Sequence, residues 1–200
     1  MPDFVYLASQ SPRRAELLTQ IGVRFELLLP DADDDAEGIE IALKNESPKS
    51  YVQRVTGLKL DAALLRLKRR RLPAAPVLCA DTTVALGRSI YAKPESAADA
   101  KRMLGELSGK THRVFTALAI GTARKRIAAL SDNRVQFASL SAAQIKAYVD
   151  TGDCMGKAGA YGIQGRAAAH IVHISGSYSG IMGLPVHEAA QMLRAMGVKL

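Results

Sequence analysis

Short apolar runs that alternate with amphipathic stretches, without a clean repeat, predict an α/β protein with a mixed, twisted central sheet flanked by helices. Three observations carry that prediction. Residues 77–86 run from Val77-Leu78-Cys79-Ala80 into Asp81-Thr82-Thr83-Val84-Ala85-Leu86 without a break, as a central strand covered on both faces would. From Thr111 the pattern changes to period two, with Val114, Thr116, Leu118 and Ile120 alternating with Phe115 and Ala117. Serines at 11, 47, 96 and 141 each stand where a helical pattern opens. With 200 residues, 48% hydrophobic and 23% charged, there is length for one substantial core with room for two lobes, and residues 1–200 read as a single domain.

Residues 5–8 give the first strand and residues 13–21 the first helix, with Ala15, Leu17, Leu18 and Ile21 as its apolar stripe and Gly22 as its stop. Ser11 suits the cap and Pro12 the first helical position, since proline has no N–H to leave unpaired. A helix start carries partial positive charge, so Ser9, Ser11, Arg13 and Arg14 together suit an anion, most naturally phosphate. The plainer alternative, a capped helix with two solvated arginines, fits those residues equally well. A second strand follows at 25–29, then an acidic loop at 31–37 with Asp33, Asp34 and Asp35 in a row. That loop reads first as a solvated turn, but clustered carboxylates at a strand end are also what Mg²⁺ takes.

Ser47-Pro48 opens a long helix over 49–66, closed by Lys68-Arg69-Arg70-Arg71. Cations are favoured at a helix C-terminus, and no stacking aromatics interleave with these, so the cluster reads as a solvated helix end rather than a nucleic-acid patch. On the strand at 77–86, Asp81 sits where a carboxylate is costly unless it is paired or coordinates a cation. It is the leading candidate for chemistry, with turn capping as the structural alternative. Gly87-Arg88-Ser89 makes a hairpin whose return places Lys93-Pro94 just past the strand.

A helix from Ser96 runs to Leu107, strands at 111–120 and 128–137 pair across a turn at 121–125, and Ser141 caps a helix to about Asp150. Gly152, Gly156, Gly159, Gly162 and Gly165, threaded with Lys157, Tyr161 and Gln164, make a candidate binding loop without the spacing of a known phosphate fingerprint. A strand at 168–174 would carry His170 and His173 on opposite faces, which argues against a shared metal. A second glycine-rich passage, Gly176 to Pro185, leads to a closing helix at 186–196.

The formal charge of +8 points to an anionic partner. Two cysteines and the absence of a charged-then-apolar leader in this sequence fit a reduced, cytoplasmic protein. Apolar runs fall far short of the roughly 20 residues of a spanning helix, so no membrane partner is expected.

Taken together, several segments resemble the Maf family of nucleoside triphosphate pyrophosphatases. The matching pieces are Leu7-Ala8-Ser9 with Ser11-Pro12-Arg13-Arg14; Glu46 with Pro48, Val52, Arg54 and Lys59; Ala80-Asp81-Thr82; Lys93-Pro94; Ser108-Gly109 with His112, Val114 and Thr116; residues 157–165; and Gly176-Ser177-Tyr178 with Gly183-Leu184-Pro185. They run in family order from end to end. The resemblance implies a two-lobed fold with a cleft, of the type shared with inosine triphosphate pyrophosphatases. It implies Mg²⁺-dependent cleavage between the α and β phosphates, another divalent cation being able to stand in.

By the same resemblance the substrate is a nucleoside triphosphate, the assembly a homodimer, and Asp81 the catalytic carboxylate, acting as base or metal ligand. Asp34 is the second metal candidate, and Ser9, Arg13, Arg14, Lys59 and Lys93 hold the triphosphate. Arg13, Thr82 and Gln164 match the subgroup acting on dTTP and UTP; the 7-methyl-GTP subgroup has Trp in place of the first arginine. The chemistry agrees, because phosphate cleavage needs charge neutralisation and a placed water more than a protein nucleophile.

Three departures from the pattern stand out. Gly156 replaces an Asp before Lys157, removing a carboxylate that would help bind Mg²⁺ or orient the lysine. Asp33 to Asp35 stand where Glu is usual, followed by an insertion to Asn45. Ser179-Gly180 replaces a frequent Asn. The alternatives are a pyrophosphatase preferring 7-methyl-GTP and a catalytically weakened regulator, linked to septum formation, that binds nucleotide or nucleic acid.

Overall fold

The computed structural model describes residues 3–31 and 36–200. In chain order the elements are β1 (Val5–Leu7), α1 (Pro12–Gln20), β2 (Phe25–Leu27), the short α2 (Ala36–Ile39), α3 (Pro48–Arg69), β3 (Val77–Leu86), β4 (Ser89–Tyr91), α4 (Ala97–Leu107), β5 (Thr111–Gly121) and β6 (Arg126–Phe137). Then come α5 (Ala142–Asp150), two 3-10 turns (Ala158–Ala160 and Arg166–His170), β7 (Ile171–Ser175), α6 (Tyr178–Met182) and α7 (Val186–Ala195).

Among the described residues the strands form one sheet in the order β2-β1-β3-β5-β6-β7, with β4 beside β3. The sheet is mixed, as expected: β1 runs parallel to both β2 and β3, and the remaining pairs are antiparallel. One edge of β3 changes partner along its length. Its start pairs with β1 through Tyr6↔Val77 and Leu7↔Leu78, and its end pairs with β4 through Val84↔Tyr91 and Leu86↔Ser89. Between those registers, at residues 80–83, no strand among the described residues lies against that edge. A crevice forms where a sheet strand changes neighbours, and this one receives the chain leaving β1 and the chain leaving β4.

Helices cover both faces. On one face α1 and α7 pack Leu17, Leu18, Ala189 and Leu193 against Val5, Leu7, Leu78 and Leu118. On the same face, beyond the crevice, α4 and α5 pack Met103, Leu104, Leu107 and Ile145 against Val84, Val114, Val135 and Phe137. These are the two lobes. The long α3 spans the opposite face, with Leu60 and Ala63 over Val77 and Cys79 and with Val52 and Val55 over Ala85 and Phe115. Apolar side chains covered from both sides explain why β3 reads as a near-continuous hydrophobic run. No described helix is long and apolar enough to cross a membrane.

Three of the four serine caps are made as expected: Ser47, Ser96 and Ser141 accept from the amides of Ser50, Asp99 and Gln144, the last in a reciprocal box with the Gln144 side chain. Ser11 does not cap α1. The hydroxyl that engages this turn is Ser9 Oγ, which accepts from the Ser11 amide at 3.2 Å, so the side chain two residues upstream does the local work. His170 also differs from expectation. It ends a 3-10 turn rather than lying on β7 with His173, because Ala168 N–H closes back onto the Gly165 carbonyl and delays the strand.

Candidate active site

Successive residues on a strand point to opposite faces, and this decides the site. At the open edge of β3, Asp81 faces α3 and Thr82 faces α1 and α6. On the α3 side, Lys59 places its ammonium 2.6 Å from Asp81 Oδ1 and 2.6 Å from Glu40 Oε1. Burial works against the charged ammonium, but the two carboxylates outweigh it and raise its pKa above the ordinary lysine value. For Glu40 burial pushes the other way from Lys59, and the Lys59 hydrogen bond and the nearby cations Lys93 and Arg14 prevail, leaving its pKa below the ordinary carboxylate value.

The segment carrying Glu40 is tied down by α3. Tyr51 donates to the Glu40 carbonyl at 2.8 Å, and Arg54 donates to both Glu46 oxygens and to the Ile41 carbonyl.

On the other side of β3, Arg14 is fixed at each of its nitrogens. Nε donates to the Gly183 carbonyl at 2.9 Å, Nη1 to Ser9 Oγ at 3.0 Å and Nη2 to Thr82 Oγ1 at 3.3 Å. Burial lowers its pKa, and the Asp81 charge offsets part of that. Arg13 donates from Nε to the Met182 carbonyl at 3.3 Å. Both guanidiniums are thus held by the end of α6, where carbonyls free of helix partners favour cations.

These groups share one cleft of about 820 Å³, large enough for a nucleotide. Of the residues expected at a site, the cleft is lined by Ser9, Arg13, Arg14, Lys59, Asp81, Thr82, Lys93 and Gln164. Lys93 stands exposed on the rim, just past β4. Asp34 lies outside the described residues, as do Asp33 and Asp35.

Gln164 belongs to the glycine-rich passage, which is anchored on the sheet. Gly159 has φ +68 and donates its N–H to the Ala92 carbonyl at 3.1 Å; a Cβ there would stand 2.8 Å from Val84 Cγ1, so only glycine fits. Next to it Tyr161 reaches into the core, its hydroxyl 2.7 Å from His112 Nε2 and its ring edge-on to Phe137. The lysine that follows Gly156 does not lack a carboxylate. Asp153 Oδ1 pairs with Lys157 Nζ at 2.9 Å, and that hydrogen bond lowers the Asp153 pKa against the effect of burial.

Sequence reasoning did not find Glu40 or the Asp153–Lys157 pairing, and it named Thr116 only as a piece of the family pattern, without a role. Glu40 reaches the site from the end of a four-residue helix, and its spacing from Lys59 has no helical or strand period. The basic cluster ending α3 has a structural role: Arg70 donates to the Leu29 carbonyl at 2.9 Å, and Arg69 and Arg70 both pair with Asp31.

Among the described residues no group of three or more His, Cys, Asp or Glu converges as a preformed metal cage. Two carboxylates do converge on one cationic point, the ammonium of Lys59. That donor set fits a hard divalent ion of the kind that takes one or two carboxylates and completes its shell with water and phosphate oxygens.

The chain is 66% identical over all 200 residues, and over the whole of the relative, to a dTTP/UTP pyrophosphatase of Albidiferax ferrireducens. It is 64% identical to a protein of the same name from a Polaromonas species, covering 99% of this chain and 98% of the relative. Among solved structures, a nucleoside-triphosphatase named a dITP/XTP pyrophosphatase, from Mycobacterium abscessus, aligns over 96% of each chain at 14% identity and a TM-score of 0.46, too distant to bear on the chemistry. The family model described as Maf-like protein matches residues 4–196, and the chain belongs to the Maf family.

Proposed function

We propose that this protein is a nucleoside triphosphate pyrophosphatase that hydrolyses dTTP and UTP, and related modified pyrimidine nucleotides, to the monophosphate and pyrophosphate. The observation that carries the reading is the placement of Asp81 at the open edge of β3, with Lys59 on one side and Arg14 on the other, in a cleft the size of a nucleotide. The names of the relatives at 64–66% identity support the same substrates.

Arg13, Arg14 and Lys93 are cations suited to the phosphate chain, and the two arginines reach it already oriented by backbone carbonyls, so little side-chain entropy is lost on binding. Asp81 is placed to orient the attacking water and accept its proton, or would hold an ion that makes that water more acidic. Asp81 and Glu40 would hold Mg²⁺, and the ion would supply neutralisation of charge on the phosphates and a more acidic water. Lys59 bridges the two carboxylates before substrate arrives. Of the subgroup set Arg13, Thr82 and Gln164, we assign base selection to Arg13 and Gln164, while the Thr82 hydroxyl is engaged with Arg14.

Incubating the protein with Mg²⁺ and a panel of nucleoside triphosphates, and quantifying pyrophosphate, tests this directly. The expected profile favours dTTP and UTP. A purine-only profile, a preference for 7-methyl-GTP, or nucleotide binding without cleavage would overturn it.

A further inference from the structure

Behind Arg14 lies a run of hydroxyls whose direction is determined by counting protons. Thr116, on β5, is fully buried, and its Oγ1 stands 2.8 Å from the Gly180 carbonyl, which can only accept. A hydroxyl has a single proton, so Thr116 spends it there. Thr82 Oγ1, 2.9 Å away, must then be the donor to Thr116. Thr82 has no proton left and offers a lone pair, which accepts from Arg14 Nη2. The order Arg14 → Thr82 → Thr116 → Gly180 is therefore the one arrangement in which every group is satisfied.

The far end of the relay is rigid. Gly180 lies on α6, and Asn133 Oδ1 of β6 accepts from the Ser177 amide at the start of that helix at 2.7 Å. A Cβ on Gly180 would stand 2.5 Å from Ser131 Oγ, so α6 sits hard against β6. The C-terminal end of the same helix gives Arg14 its Gly183 acceptor. Arg14 is consequently held from both sides by one seat, directly through Gly183 and indirectly through the two threonines.

We propose that Thr116 is a positioning residue for the reaction: buried beneath the cleft, it turns the Thr82 hydroxyl so that Thr82 serves as an acceptor for Arg14 and not as a donor to the nucleotide. The proposal rests on the pyrophosphatase reading for what Arg14 grips, and it takes Thr82 out of direct contact with the base.

Thr116→Val keeps the side-chain shape and removes the hydroxyl. In its crystal structure the Arg14 guanidinium is expected to leave the Thr82 hydroxyl. Affinity for inorganic tripolyphosphate, measured by titration calorimetry, is expected to fall roughly tenfold, the loss typical of a buried hydrogen bond left incomplete. Thr116→Ser should restore both, and the ratio of dTTP to UTP turnover should stay as in the wild type.

If Thr116→Val is too unstable to purify, Thr82→Val interrupts the relay at a half-buried position and should give the same displacement of Arg14. An unmoved Arg14 with unchanged tripolyphosphate affinity, or a changed dTTP to UTP ratio, would overturn the proposal. A wild-type protein that released no pyrophosphate would defeat the functional reading, while the position of Arg14 in the variants would still decide the relay.

Discussion

The two faces of β3 at residues 81 and 82 are built on different physics. On the α3 face, Asp81 and Glu40 meet across a lysine, and what holds the cluster is charge. On the α6 face, Thr82 and Arg14 sit in a chain of directed hydrogen bonds that ends on backbone carbonyls. Lysine is a flexible point charge, and an ion pair on a half-exposed side chain is easily exchanged for another cation or for phosphate. A guanidinium pinned at three nitrogens does not move so readily. One face is therefore suited to the step in which charge and protons change, and the other to holding a substrate still.

The contrast can be broken from the charged side first. Asp81→Asn keeps the size of the side chain and removes the base and metal oxygen, so turnover should fall by roughly 10²–10⁴-fold with thermal unfolding close to that of the wild type. Undiminished turnover would remove Asp81 from the mechanism.

Glu40→Gln should be milder. Among the described residues it leaves Lys59 with Asp81 as its carboxylate partner, and we expect a Mg²⁺ requirement roughly 10–100-fold higher, measured as the ion concentration giving half-maximal rate. An unchanged requirement would place the second metal oxygen elsewhere.

The smallest effect concerns the anchoring of the glycine-rich passage and is read as stability. Burial pushes the His112 pKa down to about 4, so the ring stays neutral in the fold beside Tyr161. An unfolded chain takes up that proton near pH 6.5, so between about pH 6.5 and 4 the unfolded state binds more protons and stability rises with pH. Over that window the contribution is roughly 3 kcal/mol, and above it the profile should be flat with respect to this group. Urea midpoints across pH 4 to 8 should show this slope in the wild type and lose it in His112→Gln. An equal slope in the variant would assign it to other groups.

The sequence alone disclosed the face that carries charge more readily than the face that carries geometry. Asp81 announced itself as an ionised group in an apolar strand, and Arg13 and Arg14 as cations at a helix start, because cost and charge are visible in residue type. The threonine relay was invisible. Its links join residues 34 and 64 positions apart, and threonine on a strand needs no functional explanation. Glu40 was not singled out, since composition draws the eye to the row of aspartates before it, and no helical or strand period links residue 40 to Lys59.

Element positions were largely legible from periodicity and caps, down to the hairpin after Leu86 and the turn between β5 and β6. The failures were local: Ser11 offered a cap that Ser9 made unnecessary, and the alanines before β7 closed a turn where a strand was expected. The carboxylate missing at Gly156 was supplied from Asp153, one turn earlier, which a motif read position by position could not reveal.

The central claim is cleavage between the α and β phosphates in this cleft, and the products of one reaction test it most directly. With dTTP and Mg²⁺, phosphorus NMR of the wild-type reaction should show dTMP and pyrophosphate accumulating in equal amounts, with no dTDP. Appearance of dTDP with orthophosphate, or dTTP left intact, would contradict it.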